Sequence, residues 1–213
     1  MKCFAKYTTL FACIIPLCVH AQSDEYIPNE KPLDFKRYFA IGYTIGSPVA
    51  DMSQHFEPWS YSGLFGEYRG YVKDNFSVGV ELGWISFYGK GKRETYQWGN
   101  GAITAQAYRF YNTLGANITA RYSLLYDKKY NVFAGIAPGI HYNTSELRLG
   151  YLKQTDNKWT LGIAPELGGF QSLSKSGIIG MQISVRFNYI FFKTQCFDAT
   201  QFISCKTGLV VRL

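Results

Sequence analysis

Only a few residues of this chain have the type and spacing to carry chemistry. Beyond the first 21 residues His55 and His141 are the only histidines. His141 opens the run Tyr142-Asn143-Thr144-Ser145-Glu146, which holds the hydroxyl and carboxylate that a histidine base would need. That likeness is one of composition, and a lone polar histidine is more commonly structural, so no catalytic residue is assigned. Cys196 and Cys205 are the only cysteines past residue 21. A disulfide between them would close a short loop and stabilise by ~2–3 kcal/mol. No histidine or carboxylate cluster accompanies them at ligand spacing, so neither a metal nor another cofactor is expected. The largest group is charged: Glu67, Glu81 and Glu166 with Arg69, Arg121, Arg186, Lys206 and Arg212.

Those charges lie in stretches of strict alternation. In Phe76–Tyr88 the even positions are Phe76, Val78, Val80, Leu82, Trp84 and Tyr88, broken by Ser86, whereas Ser77, Gly79, Glu81 and Gly83 occupy odd positions. A β-strand turns successive side chains to opposite faces, so such a segment has one apolar and one small, polar face. The same pattern predicts strands over about 37–46, 61–72, 76–88, 108–124, 130–142, 159–170 and 178–192, and a last strand ending the chain with Thr207, Leu209, Val211 and Leu213 on one face. Lys73-Asp74-Asn75, Asp127-Lys128-Lys129 and Ser174-Lys175-Ser176 read as tight turns. Between them fall four long loops, 47–60, 89–104, 143–158 and one around Cys196.

Eight strands joined alternately by short and long connections fit an all-β, eight-stranded, antiparallel up-and-down transmembrane β-barrel. Strands of this length cross a bilayer at a tilt, and closure removes the edges of an otherwise exposed apolar sheet. A soluble lipocalin-like barrel would turn its apolar face inward and cover its outside with Lys and Glu. Here the polar faces hold Gly, Ser, Thr and Asn with a few charges, as a narrow packed lumen requires. The eight charged residues named above are therefore expected to form an interleaved network inside the barrel, because an unpaired charge there is costly.

The start of the chain reads as a secretory signal peptide, 1–21, with Lys2 and Lys6 before an apolar run and Val19-His20-Ala21 as the cleavage site. Residues 22–36 form a polar lead-in, and 37–213 the barrel. Aromatics and charged residues each make up 17%, the charged share being low for a soluble domain. Loss of Lys2 and Lys6 lowers the formal charge from +7 to +5, too small an excess for nucleic acid but compatible with anionic headgroups.

Signal peptide, alternating strands and loop asymmetry together resemble the small bacterial outer-membrane β-barrel proteins, such as the barrels of outer-membrane proteins A and X in the porin-like group. The resemblance spans about 37–213. The terminal segment Leu209-Val210-Val211-Arg212-Leu213 keeps the strand spacing but ends in Leu where that family usually has an aromatic. It implies the outer membrane as location and membrane lipid as surroundings, with a monomeric chain. The expected function is structural or adhesive, through loop-mediated binding, without enzymatic activity or a wide pore. The second loop, with Lys90, Lys92, Arg93, Tyr96 and Trp98, is placed to meet a surface glycolipid or a protein partner. The runner-up is a lipid-modifying barrel enzyme. Its sequence basis is the near-repeat Gly135-Ile-Ala-Pro138 and Gly162-Ile-Ala-Pro165, since mid-strand prolines lack a ladder donor and could part the wall to an acyl chain.

Overall fold

The computed structural model describes residues 37–73, 75–98, 101–126, 130–174, 177–194 and 197–213, the side chains of 97, 98 and 126 excepted. The expected signal peptide and lead-in lie outside these residues. Eight strands follow in order: β1 (Arg37–Pro48), β2 (Ser62–Lys73), β3 (Phe76–Trp98), β4 (Gly101–Tyr126), β5 (Tyr130–Leu149), β6 (Leu152–Ser172), β7 (Ile179–Ile190) and β8 (Thr200–Arg212). Each pairs antiparallel with its neighbours, and β1 closes on β8 from Tyr38↔Arg212 to Pro48↔Phe202.

Alternation sorts the side chains between two surroundings. Ile41, Leu64, Leu82, Ile118, Leu161 and Leu209 point outward and are each more than half exposed. Glu67, Arg69, Glu81, Thr119, Arg121 and Glu166 point inward and are buried. A lipocalin-like barrel has the opposite polarity, so that alternative fails. An apolar belt around a polar interior suits hydrocarbon outside, where a closed ladder holds most backbone donors and acceptors.

The strands are unequal, and here the loop assignments need correction. β3 and β4 run to 23 and 26 residues and β5 and β6 to 20 and 21, against 12 for β1, β2 and β7. The segments 89–104 and 143–158, expected as loops, are mostly strand. They continue the ladder to Trp98↔Gly101 and Leu149↔Leu152 as two hairpins standing beyond the shorter strands. Neither face of these extensions meets lipid, so the two-residue hydrophobic period lapses while the backbone pairing persists. One register shift, between Lys90 and Arg93, marks where β3 leaves the barrel wall. At the tip of the second hairpin Gly150 (φ +62°) supplies the left-handed backbone of a tight turn.

Pro138 and Pro165 both face outward on adjacent strands, in register with Ile163 and Ile136. The β5–β6 ladder is unbroken across them. The gaps fall on the far sides: β4–β5 pairing skips from Asn117↔Gly139 to Ala120↔Ile136, and β6–β7 pairing skips from Ile163↔Tyr189 to Glu166↔Arg186. A proline on the outer flank of each strand removes the donor that would fill the gap.

Candidate functional site

The mid-barrel lumen is filled by charge. Glu67 and Glu81 are direct cross-strand partners on the inner face of β2 and β3, two like charges that repel unless cations come between. The cations come from β2 itself, from β4 and from β7 and β8. Arg69 donates through Nε to Glu67 Oε1 at 2.6 Å. Arg121 spans Glu67 Oε2 at 2.9 Å and Glu166 Oε1 at 3.0 Å. Arg186 spans Glu166 Oε2 at 3.0 Å and Glu81 Oε1 at 2.7 Å. Lys206 closes on Glu81 Oε2. The result is one alternating chain, Arg69–Glu67–Arg121–Glu166–Arg186–Glu81–Lys206, with a cation at each end.

Most of the remaining donors and faces of these side chains are also occupied, Arg186 Nε being an exception. Arg69 reaches Ser77 and Thr119 Oγ1, the latter at 2.6 Å. Arg121 donates to Tyr38 Oη and Gln182 Oε1 and lies 4.1 Å above the Phe133 ring. Lys206 Nζ stands 4.3 Å from the Phe65 ring. Gly135 makes room for Arg121, since a Cβ there would lie 2.8 Å from Arg121 Cγ. Arg212, the eighth charged residue in the expected set, is set apart: half-buried at the short-turn end, it stacks on Phe170 at 4.3 Å.

Toward the long-hairpin end the interior changes from charged to aromatic. Met52, Phe56, Ile85, Phe87, Tyr111, Ile190, Phe192, Phe197 and Phe202 form a buried cluster. Phe87 and Phe202 rings lie 5.1 Å apart, and Phe56 meets both Phe87 and Tyr111. The first loop supplies part of this plug: its 3-10 turn Ala50–Gln54 buries Met52 completely, and Glu57 N donates to Tyr88 O at 2.8 Å. Sequence reasoning missed the plug, although the odd positions of β3 turn from Glu81 and Gly83 to Ile85 and Phe87, which signals a change of filling on the inner face.

Between ion chain and plug lies a cavity of about 40 Å³, whose wall includes Glu81, Thr113, Asn117, His141, Arg186 and Lys206. His141 is buried there between Gly115 and Gly162, and its Nδ1 has no hydrogen-bond partner. Glu146, the carboxylate nearest to it in sequence, is held elsewhere by Arg148 and by Lys153 at 2.8 Å. The Lys153 hydrogen bond, then that of Arg148, keeps the Glu146 carboxyl below its ordinary value against the cost of partial burial. His55 sits in the plugging loop, half-buried. The expected Cys196–Cys205 bridge finds no support. Cys205 is a free thiol on the outward face of β8, in register with Ile45 and Val185, well inside the strand rather than at its mouth; Cys196 lies outside the described residues. Among the described residues no group of histidine, cysteine and acidic side chains could hold a metal ion.

The projecting hairpins are basic. Lys90, Lys92, Arg93, Arg109, Arg148, Lys153 and Lys158 outnumber Glu94, Glu146 and Asp156. Most of these side chains are exposed, and Tyr88, Tyr108, Phe110, Tyr142 and Trp159 rings gather at the base of the hairpins.

No protein-family model and no curated protein matches the chain. Solved structures do. The attachment invasion locus protein Ail of Yersinia pestis is similar over 85% of this chain and 100% of its own, with a TM-score of 0.51 and 9% identity. Neisserial surface protein A is similar over 83% of this chain and 96% of its own, with a TM-score of 0.51 and 11% identity. At such identities the likeness is one of architecture: the chain is built as a small eight-stranded β-barrel of the outer-membrane type.

Proposed function

We propose that this protein is an integral outer-membrane barrel that conducts nothing, catalyses nothing and acts through its projecting hairpins, binding anionic groups at the cell surface. The observation that carries this reading is the contrast between a lumen closed twice over, by ions and then by aromatics, and a mouth extended into two basic hairpins. A filled lumen leaves the loops as the place where specificity can reside. The aromatic rings at the base of the hairpins would hold the lysines and arginines at headgroup height, which favours glycolipid phosphates as the partner over a distant protein surface. The runner-up enzyme reading lacks an assembled triad, since Glu146 is tied up by Arg148 and Lys153.

Three measurements test the proposal. Cell fractionation with heat-modifiable gel mobility should place a folded barrel in the outer membrane, and recovery as a soluble periplasmic protein would overturn it. Planar bilayers should show no steady conductance. Vesicles containing phosphorylated glycolipid should bind the purified barrel more tightly than zwitterionic vesicles, and changing Lys90, Lys92, Arg93, Lys153 and Lys158 to Gln should remove that difference. Salt should weaken it too, since exposed charges are screened. Equal binding to both vesicles would refute the anionic partner.

A further inference from the structure

We propose that the cavity between the ion chain and the aromatic plug is a binding site for one small monovalent anion of the halide class. The first ground is charge. The buried chain holds four cations and three carboxylates, each with at most 3% of its side chain exposed. A net positive charge sealed from water is unfavourable, and a counter-charge joining it relieves that cost.

The second ground is room, which is unequal at the two cationic ends. At the Arg69 end, Glu67, Ser77 and Thr119 take up the guanidinium, and the cavity lined by Ser77 and Arg121 has only about 10 Å³. At the Lys206 end the cavity has about 40 Å³. One water needs roughly 10–15 Å³ of such space, so the larger cavity admits a chloride-sized ion and the smaller does not.

The third ground is unspent hydrogen bonding. Arg186 Nε, Thr113 Oγ1 and His141 Nδ1 are buried without a partner, and all three residues line this cavity. Each presents a donor, the imidazole in its Nδ1–H form. Ser204 and Thr44 add hydroxyls to the same wall. Two acceptors are present as well. Glu81 has both oxygens engaged, Oε1 by Arg186 and Asn117 and Oε2 by Arg186 and Lys206, so its charge is already counted. Asn117 Oδ1 is unpartnered and suits a water beside the anion. Water alone could satisfy these atoms, but it would leave the excess charge in place.

The site is tested on the full mature barrel. Crystals soaked in bromide should show an anomalous peak in the cavity beside Arg186 and Lys206; density there without anomalous signal means water and overturns the proposal. In solution, barrels refolded in sodium chloride should melt several degrees above barrels refolded in sodium gluconate at equal ionic strength. Lys206→Met removes the excess charge and should abolish that difference. Should this variant not fold, Thr113→Val, which leaves every ion pair intact, should reduce the difference. Equal melting of the wild-type barrel in the two salts overturns the proposal as well.

Discussion

Glu166→Gln tests whether charge or packing makes the lumen stable. Glutamine keeps the volume and one carbonyl oxygen, so the change removes the charge and turns one acceptor into an NH2 donor facing a guanidinium. In the folded barrel Glu166 is almost fully buried and accepts from Arg121 Nη2 at 3.0 Å, Arg121 Nε at 3.2 Å and Arg186 Nη2 at 3.0 Å. Without its charge the alternating chain breaks in the middle, and Arg121 and Arg186 face each other across a neutral amide. The balance moves from four cations against three carboxylates to four against two. Removing one partner from a buried ion pair costs about 3–5 kcal/mol, and the expected loss falls in that range. Lys206→Met is the control. It trims an end of the chain, leaves Glu81 held by both terminal nitrogens of Arg186 at 2.7 and 2.9 Å, and brings the count to three against three. Its expected cost is about 1 kcal/mol or less, since replacing buried charge by apolar volume is often neutral. Urea unfolding in lipid vesicles, followed by tryptophan fluorescence and gel mobility, measures both. Equal losses for the two variants would show that the side chains act as filler and that their order along the chain is irrelevant.

Other parts of the barrel give sharper local expectations. Phe87→Ala empties the centre of the aromatic plug, where the side chain is 1% exposed, and should cost about 3–5 kcal/mol in the same unfolding assay; a loss under 1 kcal/mol would mean that the plug is loosely packed. Pro138→Ala and Pro165→Ala each supply a donor on a flank where pairing lapses. Amides bordering the two gaps, around Ile118 and Phe187, should then exchange hydrogen more slowly, and unchanged exchange would show that the gaps have another cause. For Glu146 the sign follows from its lowered value: the carboxylate supports the β5–β6 hairpin above its ordinary 4.5, and the support is lost as pH falls through the lowered value. Hairpin amides between Glu146 and Lys153 should therefore exchange faster at acid pH than near neutrality, after correction for intrinsic rates, and Glu146→Gln should remove the difference.

The fold was legible because a lipid-facing barrel makes opposite demands on alternate residues. Phe76–Tyr88 shows the demand plainly, and a glutamate at Glu81 on the small-residue face of such a strand has only the interior to occupy. The hairpin extensions were illegible for the complementary reason. Around Thr95 and Thr104, which face each other with hydroxyls 2.8 Å apart, water lies on both sides and no period of two survives. Apolar residues at the outer ends of the strands are ambiguous for another reason. Ile85 and Phe87 share the parity of Glu81, yet their type suggests lipid; only the closed barrel shows that apolar side chains fill its upper interior. The parity of β8 also sets Cys205 apart from Lys206, turning the thiol outward with Ile203.

That a barrel with a packed lumen should be filled with ions at mid-height, when it fills its mouth with phenylalanine, has a physical reason in register. A one-residue slip of any strand exchanges its inner and outer faces. Were the mid-lumen apolar, like the plug, a slipped strand would present one apolar face to lipid and another to the interior, and little would oppose the error. With Glu67 and Arg69 on β2, Glu81 on β3, Arg121 on β4, Glu166 on β6, Arg186 on β7 and Lys206 on β8, a slip of any of these strands sends a charge into hydrocarbon and strands its partner. The ions need not add net stability to the correct barrel to serve this purpose, because their main effect is to raise the alternatives. β1 and β5 carry no ion in the chain, and their registers rest on Tyr38, Thr44, Asn131 and His141 instead. Slipped or slow-folding species should therefore arise first at those two strands, and cysteine pairs placed across β4–β5, compared with pairs across β6–β7, would capture them during refolding. Equal capture at the two seams would show that the ion chain has no part in setting register.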